Sequence, residues 1–128
     1  MAQIDFSGIG RGFVTQYYPA YGADRSQVAG AYRDNSLMTY QGQQIMGVVK
    51  IMEFFRERVT FTTAQFNPLD IDCHPSQSNG IIVVVNGEVL LAGETRALKF
   101  NDVFHLAVDQ SGQWYISNQL FRTVGSVA

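Results

Sequence analysis

Apolar residues recur at helical spacing up to Phe55 and then change to the pattern of strands. Phe6, Ile9, Phe13, Tyr17 and Tyr21 stand three or four positions apart and share one helical face. Asp5 is placed to cap this helix, while Pro19 and Gly22 predict that it bends and ends there. A second, shorter helix is predicted after Asp24, burying Val28, Ala31 and Tyr32. A third follows Gly47, with Val48, Ile51, Met52 and Phe55 on its apolar side.

Residues 36–40 and 44–46 read as a short hairpin around Gln41-Gly42-Gln43. Residues 60–73 are rich in β-branched and aromatic side chains, and Pro68 within them requires a bulge or a sheet edge. Residues 81–91 are almost continuously apolar, as in a strand covered on both faces. Asn86-Gly87 is read as a bulge inside that strand, because residues 92–96 offer the better turn. Residues 98–108 and 113–122 then pair through Asp109-Gln110-Ser111-Gly112, a type I turn with a glycine exit. Helices first and strands afterwards argue for an α+β fold, with residues 1–128 forming one domain.

Alternation along residues 98–108 places Leu98, Phe100, Asp102, Phe104, Leu106 and Val108 on one face. The other face carries Lys99, Asn101, Val103, His105 and Ala107, too apolar a set to stay in water. Packing against an identical sheet is the simplest cover, which predicts a homodimer.

Composition sharpens this reading. Charged residues are 16% of the chain and hydrophobic ones 46%, against an average charged share of about 25%. Such a surface is expected to meet a partner. The formal net charge of −2, without a Lys/Arg cluster, argues against nucleic acid. The single cysteine excludes an intrachain disulfide. No signal peptide or membrane-length apolar run is legible, so a reducing, aqueous compartment is expected, with no membrane partner.

Candidate chemistry is sparse. Gly8-Ile9-Gly10-Arg11-Gly12 lacks the third glycine and the preceding strand of a dinucleotide loop, so its small residues are read as a packing site. His74 and His105 have no further ligand at metal spacing and read as hydrogen-bonding histidines; neither a metal nor a cofactor is expected. Cys73 and His74 are adjacent on a strand and point to opposite faces, a poor arrangement for catalysis. Asp70, Asp72 and Asp102 sit in stretches otherwise fit for burial. A carboxylate in an apolar pocket, with Tyr40 as donor, would suit a small-molecule isomerase or dehydratase. Alternatively these acids pair with arginine, cap backbone groups, or rim a pocket for a partner's basic side chain. An acid on the pocket floor with a donor in reach marks the first reading, and acids at the rim mark the last.

Six blocks carry a resemblance to a known family. They are Gly12-Phe13-Val14-Thr15-Gln16-Tyr17-Tyr18, residues 39–47 from Thr39-Tyr40-Gln41 to Met46-Gly47, Asp72-Cys73-His74-Pro75, residues 91–100 around Gly93-Glu94-Thr95-Arg96, Val103-Phe104-His105-Leu106, and Asn118-Gln119-Leu120-Phe121-Arg122. Over residues 6–122 the chain resembles the nuclear transport factor 2 family. The resemblance implies a cone-shaped fold: a curved, mostly antiparallel sheet wrapped around a long N-terminal helix, with two further helices. It implies a homodimer that binds GDP-bound Ran and the phenylalanine-glycine repeats of nucleoporins. Such a carrier is not an enzyme, and it works between cytoplasm and nucleus, concentrated at the nuclear pore. Tyr40, Leu120 and Phe121 match the family's pocket residues and Glu94 an acidic rim position. Gln41 and Thr95 stand where family members commonly carry acids, for which Asp72, Asp102 or Glu88 would substitute. Phe6, with Ile4 beside it, matches the patch that binds the repeats. The same fold also hosts isomerases, dehydratases and scaffold domains of messenger-RNA export and stress-granule proteins. Those scaffold domains usually sit in longer chains, which favours the carrier.

Overall fold

The computed structural model describes residues 5–124. Asp5 caps helix α1 (Phe6–Ala23), its carboxylate accepting from the Gly8 N–H at 3.0 Å. That bond satisfies one of the donors left open in a first helical turn. The buried positions of α1 are Gly10, Val14, Tyr17, Tyr18, Tyr21 and Gly22, with Phe6, Ile9 and Phe13 half-buried beside them. The predicted stripe is therefore one edge of a broader apolar face. The helix ends at Ala23, one residue past Gly22, as expected, but Pro19 alone does not break it: it lies on the exposed side, where the Thr15 carbonyl it leaves without a donor faces solvent. Gly22 answers to packing instead, since a Cβ there would lie 2.2 Å from the Ala64 carbonyl oxygen.

Asp24 caps a 3-10 helix, Arg25–Ala31, by accepting from the Ser26 N–H at 3.0 Å. Val28 is buried as predicted, but Tyr32 lies beyond this helix and opens strand β1 (Tyr32–Tyr40), four residues before its predicted start. Strand β2 (Gln43–Met46) pairs with it, Tyr40 facing Gln43. Gln41 and Gly42 hold φ of 50° and 87°. Two positive values in a two-residue loop match the twist that a tight hairpin needs. Helix α2 (Val48–Glu57) follows Gly47 as predicted and buries Ile51 and Phe55.

Strands β3 (Ala64–Pro75), β4 (Ile81–Leu91), β5 (Leu98–Val108) and β6 (Trp114–Val124) complete a six-stranded sheet in the order β2-β1-β6-β5-β4-β3. All pairings are antiparallel except β1 with β6. The bulge expected at Asn86-Gly87 lies across from it, in β3. Pro68 pairs with Gly87 and Asp70 with Asn86, leaving Leu69 as the extra residue. An edge strand can carry a proline because one side of its ladder is unpaired. Gly87 keeps β4 close to that bulge; a Cβ there would meet the Asn67 carbonyl oxygen at 2.3 Å. The β5–β6 turn is the predicted one: Gly112 donates to the Asp109 carbonyl at 3.0 Å with φ of 86°.

The helices cover one face of the sheet, which settles the α+β class. Inner positions such as Val83, Val85, Phe100, Phe104, Leu106, Ile116 and Phe121 form the core with α1 and α2. The outer face follows from the register. Met46 and Leu37 pair across β2 and β1, while Leu120, Val103 and Val84 pair in turn across β6, β5 and β4. Met46 is 57% exposed, Leu120 54% and Ile82 37%. This is the semi-apolar face predicted from alternation.

Candidate functional site

β1 and β6 run parallel, so their C-terminal ends meet at the end of the sheet where β5 begins and β4 finishes. Tyr40 ends β1 there. Its ring stacks on Phe121 with centroids 5.0 Å apart and meets Phe54 of α2 edge-on at 5.2 Å. Deeper in, Tyr18 stacks on Phe66 at 4.9 Å and meets Phe100 edge-on at 5.4 Å. Between these rings lies a small pocket bordered by Tyr21, Met38 and Phe55, with Asp102 and Gln119 as its polar floor. Its free volume is about 10 Å³, room for about one water.

Asp102 is 1% exposed, and its carboxylate accepts three hydrogen bonds. Tyr18 donates at 2.9 Å, and the Gln119 amide nitrogen lies 3.1 and 3.2 Å from the two oxygens. The Gln119 carbonyl oxygen accepts from Tyr32 at 2.6 Å, and the Tyr32 and Tyr17 hydroxyls lie 2.7 Å apart. Burial pushes the Asp102 carboxyl up to about 7, against the downward pull of Gln119 and Tyr18. Burial likewise drives the Tyr17, Tyr18, Tyr21 and Tyr32 hydroxyls well above their ordinary value, so all four serve as neutral donors and acceptors.

The structure gathers some of the predicted site residues and separates others. Tyr40 and Phe121 meet at the mouth. Leu120 does not: one position from Phe121 on a strand, it points to the outer face. Gln41 is at the mouth but tied to β6, donating to the Thr123 hydroxyl at 2.6 Å and accepting from the Thr123 N–H at 3.2 Å. Glu94 and Thr95 lie exposed in the β4–β5 connection, at the same end of the sheet.

Asp72 is not a substitute rim acid. It sits on the outer face of β3, eight residues from Ala64, roughly 25 Å along the strand at about 3.3 Å per residue. Asp102 is not a rim acid either, because its inward position makes it the floor. Phe6 is half-buried in the first turn of α1, and Ile4 lies outside the described residues. His105 is held between Ser117 at 2.5 Å and Ser76 at 3.0 Å, the hydrogen-bonding role expected of it. Gly10 marks the close crossing of α1 over β3, where a Cβ would meet the Cys73 sulfur at 2.5 Å.

Sequence reasoning missed Tyr18, Tyr32 and Gln119 as partners of Asp102. A signal was present: Gln119 and Asp102 are polar residues at inward positions of neighbouring strands. Arg25 was also missed. It donates to the Val59 and Phe55 carbonyls at 3.0 and 3.3 Å and lies over the Phe61 ring at 4.5 Å, pinning the end of α2 beside the pocket.

Comparison with known proteins identifies the family. The nuclear transport factor 2 (NTF2) domain model matches residues 9–123. The chain belongs to the nuclear transport factor 2 family. It is 36% identical over 121 residues to nuclear transport factor 2 of Neurospora crassa, covering 94% of this chain and 97% of the relative. It is also 36% identical over 123 residues to nuclear transport factor 2B of Arabidopsis thaliana, covering 95% and 97%. The solved structure of nuclear transport factor 2 from Cryptosporidium parvum superposes with a TM-score of 0.88 at 34% identity, covering 96% of this chain and 98% of that one.

Membership in the nuclear transport factor 2 family gives the chain a nuclear transport role and a nucleocytoplasmic setting, and its named relatives are transport factors, not enzymes. The feature named above as the mark of an isomerase, a floor acid with a donor in reach, is nevertheless present as Asp102 and Tyr18. In this nuclear transport factor 2 domain it does not make an active site. Both carboxylate oxygens are already engaged within the protein, by the Tyr18 hydroxyl and the Gln119 amide.

Proposed function

We propose that this nuclear transport factor carries GDP-bound Ran. An aromatic side chain of Ran enters between Tyr40, Phe54 and Phe121, and basic side chains of Ran meet the rim at Glu94, with Gln41 and Thr95 as neutral neighbours. The observation that carries this reading is the aromatic mouth, with Tyr40 stacked on Phe121 at the sheet end that also bears the Glu94 connection, in a chain of this family. Entry requires Tyr40 and Phe54, both half-buried at the edge of the core, to part from Phe121. Phenylalanine-glycine repeats of nucleoporins bind at Phe6 on the flank of α1, which concentrates the protein at the pore. Two chains pair through the outer sheet face around Leu120, Val103, Val84 and Ile82, an apolar surface whose exposure is otherwise unfavourable.

The test is calorimetric titration with Ran loaded in turn with GDP and with a GTP analogue. Binding confined to the GDP form, at one Ran per chain, is expected. A protein that is folded yet gives no heat with GDP-loaded Ran overturns the proposal.

A further inference from the structure

Among the described residues Asp102 is the buried carboxylate, and none of their cations lies within ion-pair distance of it. Tyr17, Tyr18 and Tyr21 line the pocket from α1 and Tyr40 from β1, while Tyr32 of β1 reaches it through Gln119. Arg25, from the 3-10 helix, is the nearby charge; it acts on Tyr21 and Tyr40 and is committed to the Phe55 and Val59 carbonyls. From β3, β4, α2 and β6 come Phe66, Val85, Phe55, Gln119 and Phe121, none of them titratable.

The hydrogen bonds around this carboxylate form a directed chain. With Asp102 ionised, Tyr17 donates to Tyr32, Tyr32 to the Gln119 oxygen, and the Gln119 amide nitrogen to Asp102. With Asp102 protonated, its hydroxyl has to donate. A half-turn of the Gln119 amide then supplies the acceptor, offers its N–H to Tyr32, and lets Tyr32 donate to Tyr17. Either direction keeps the three bonds from Asp102 to Tyr17, the reversed one leaving the Tyr17 hydroxyl proton without its Tyr32 acceptor, so the network can follow a change of one proton at Asp102. The two forms do not respond alike to an occupant. A ring in the mouth removes the remaining room for solvent above the floor, which penalises the ionised form and leaves the neutral one nearly untouched.

We propose that Asp102 makes occupancy of the aromatic pocket proton-linked: an apolar ring enters with uptake of a proton, and binding tightens as the solution is acidified. This deepens the proposed function and rests on its reading of the pocket as a receiving site. Linkage is reciprocal, so the occupant raises the proton affinity of Asp102 by the same factor as the proton raises affinity for the occupant. An occupant that moves the titration up by one unit binds about fivefold tighter at pH 6 than at pH 8.

Two measurements test it. Calorimetry with GDP-loaded Ran at pH 6 and pH 8, in buffers of different ionisation heat, reads proton uptake directly. Proton uptake, larger at pH 8 than at pH 6, and tighter binding at pH 6 are expected in the native protein, and both should disappear in Asp102→Asn. Equal uptake in native protein and variant overturns the proposal, because the proton then resides elsewhere. The second measurement needs neither Ran nor a variant: the Asp102 carboxyl carbon is titrated by NMR with and without saturating toluene. An upward shift of the titration midpoint in toluene is expected, and an unmoved midpoint overturns the linkage. Absence of Ran binding alongside a toluene-shifted midpoint would refute the carrier reading and leave the linkage standing.

Discussion

Asp102 should make the folded protein less stable as the solution turns from acid to mildly basic, the reverse of the usual behaviour of carboxylates. Its folded value of about 7 lies above the unfolded 3.8, so between those limits the native state binds more protons. Stability is therefore fully present below the unfolded value and lost as pH rises through the folded one. Going from pH 5 to pH 8 crosses the upper two-thirds of that window. At about 1.36 kcal/mol per unit the loss comes to about 3 kcal/mol. The side chain is 1% exposed, so solvent screening does not reduce this much. Against a domain stability of about 5–15 kcal/mol, the effect should move the urea midpoint by about 1–3 M.

The assay is urea unfolding followed by Trp114 fluorescence at pH 5, 6, 7 and 8, at one fixed protein concentration because dimerisation would contribute. Asp109 titrates the other way. Backbone and side-chain bonds from Gln113 and Ser111 hold it down to about 2, so its contribution is present above 3.8 and lost only as pH falls through 2, outside the window. Asp102→Asn should flatten the profile, since asparagine donates to a turned Gln119 amide just as the protonated acid does. A native midpoint that is constant or rising from pH 5 to pH 8 refutes the reasoning, as does a variant with the native slope.

Three further outcomes follow from named contacts. Leu120→Arg places a charge at a position 54% exposed on the outer sheet face; it should leave the circular dichroism spectrum unchanged while sedimentation shows a monomer. Gly22→Ala puts a Cβ 2.2 Å from the Ala64 carbonyl oxygen; forcing α1 off β3 should cost about 1–3 kcal/mol in urea unfolding, and an unchanged midpoint would contradict the close approach. Phe6→Ala removes a half-buried ring from the first helical turn; it should lower thermal stability slightly and weaken binding to a phenylalanine-glycine repeat peptide, and unchanged affinity in the folded variant would exclude that patch.

The fold was legible wherever periodicity and turn chemistry agreed, as in α2 after Gly47, the Asp109–Gly112 turn and the inward alternation of β5. Reading failed where a partner element set the outcome. Asn86-Gly87 marked the bulge correctly in space but on the wrong strand, because a glycine that lets a bulge approach looks the same in sequence as a glycine that forms one. The same limit governs the site. Alternation along residues 98–108 already sets Asp102 on one face with Phe100 and Phe104, yet it also stands as a candidate substitute rim acid, and resemblance groups Leu120 with the pocket although it neighbours Phe121 on a strand. Resemblance transfers a position's neighbourhood, whereas alternation gives its direction, and on a strand direction decides which side of the sheet a residue serves. Where the two disagree, as at Leu120, direction has to prevail. Where an inward carboxylate finds an inward amide on the next strand, as Asp102 finds Gln119, the pair is best read as one buried unit before either member is assigned to a partner.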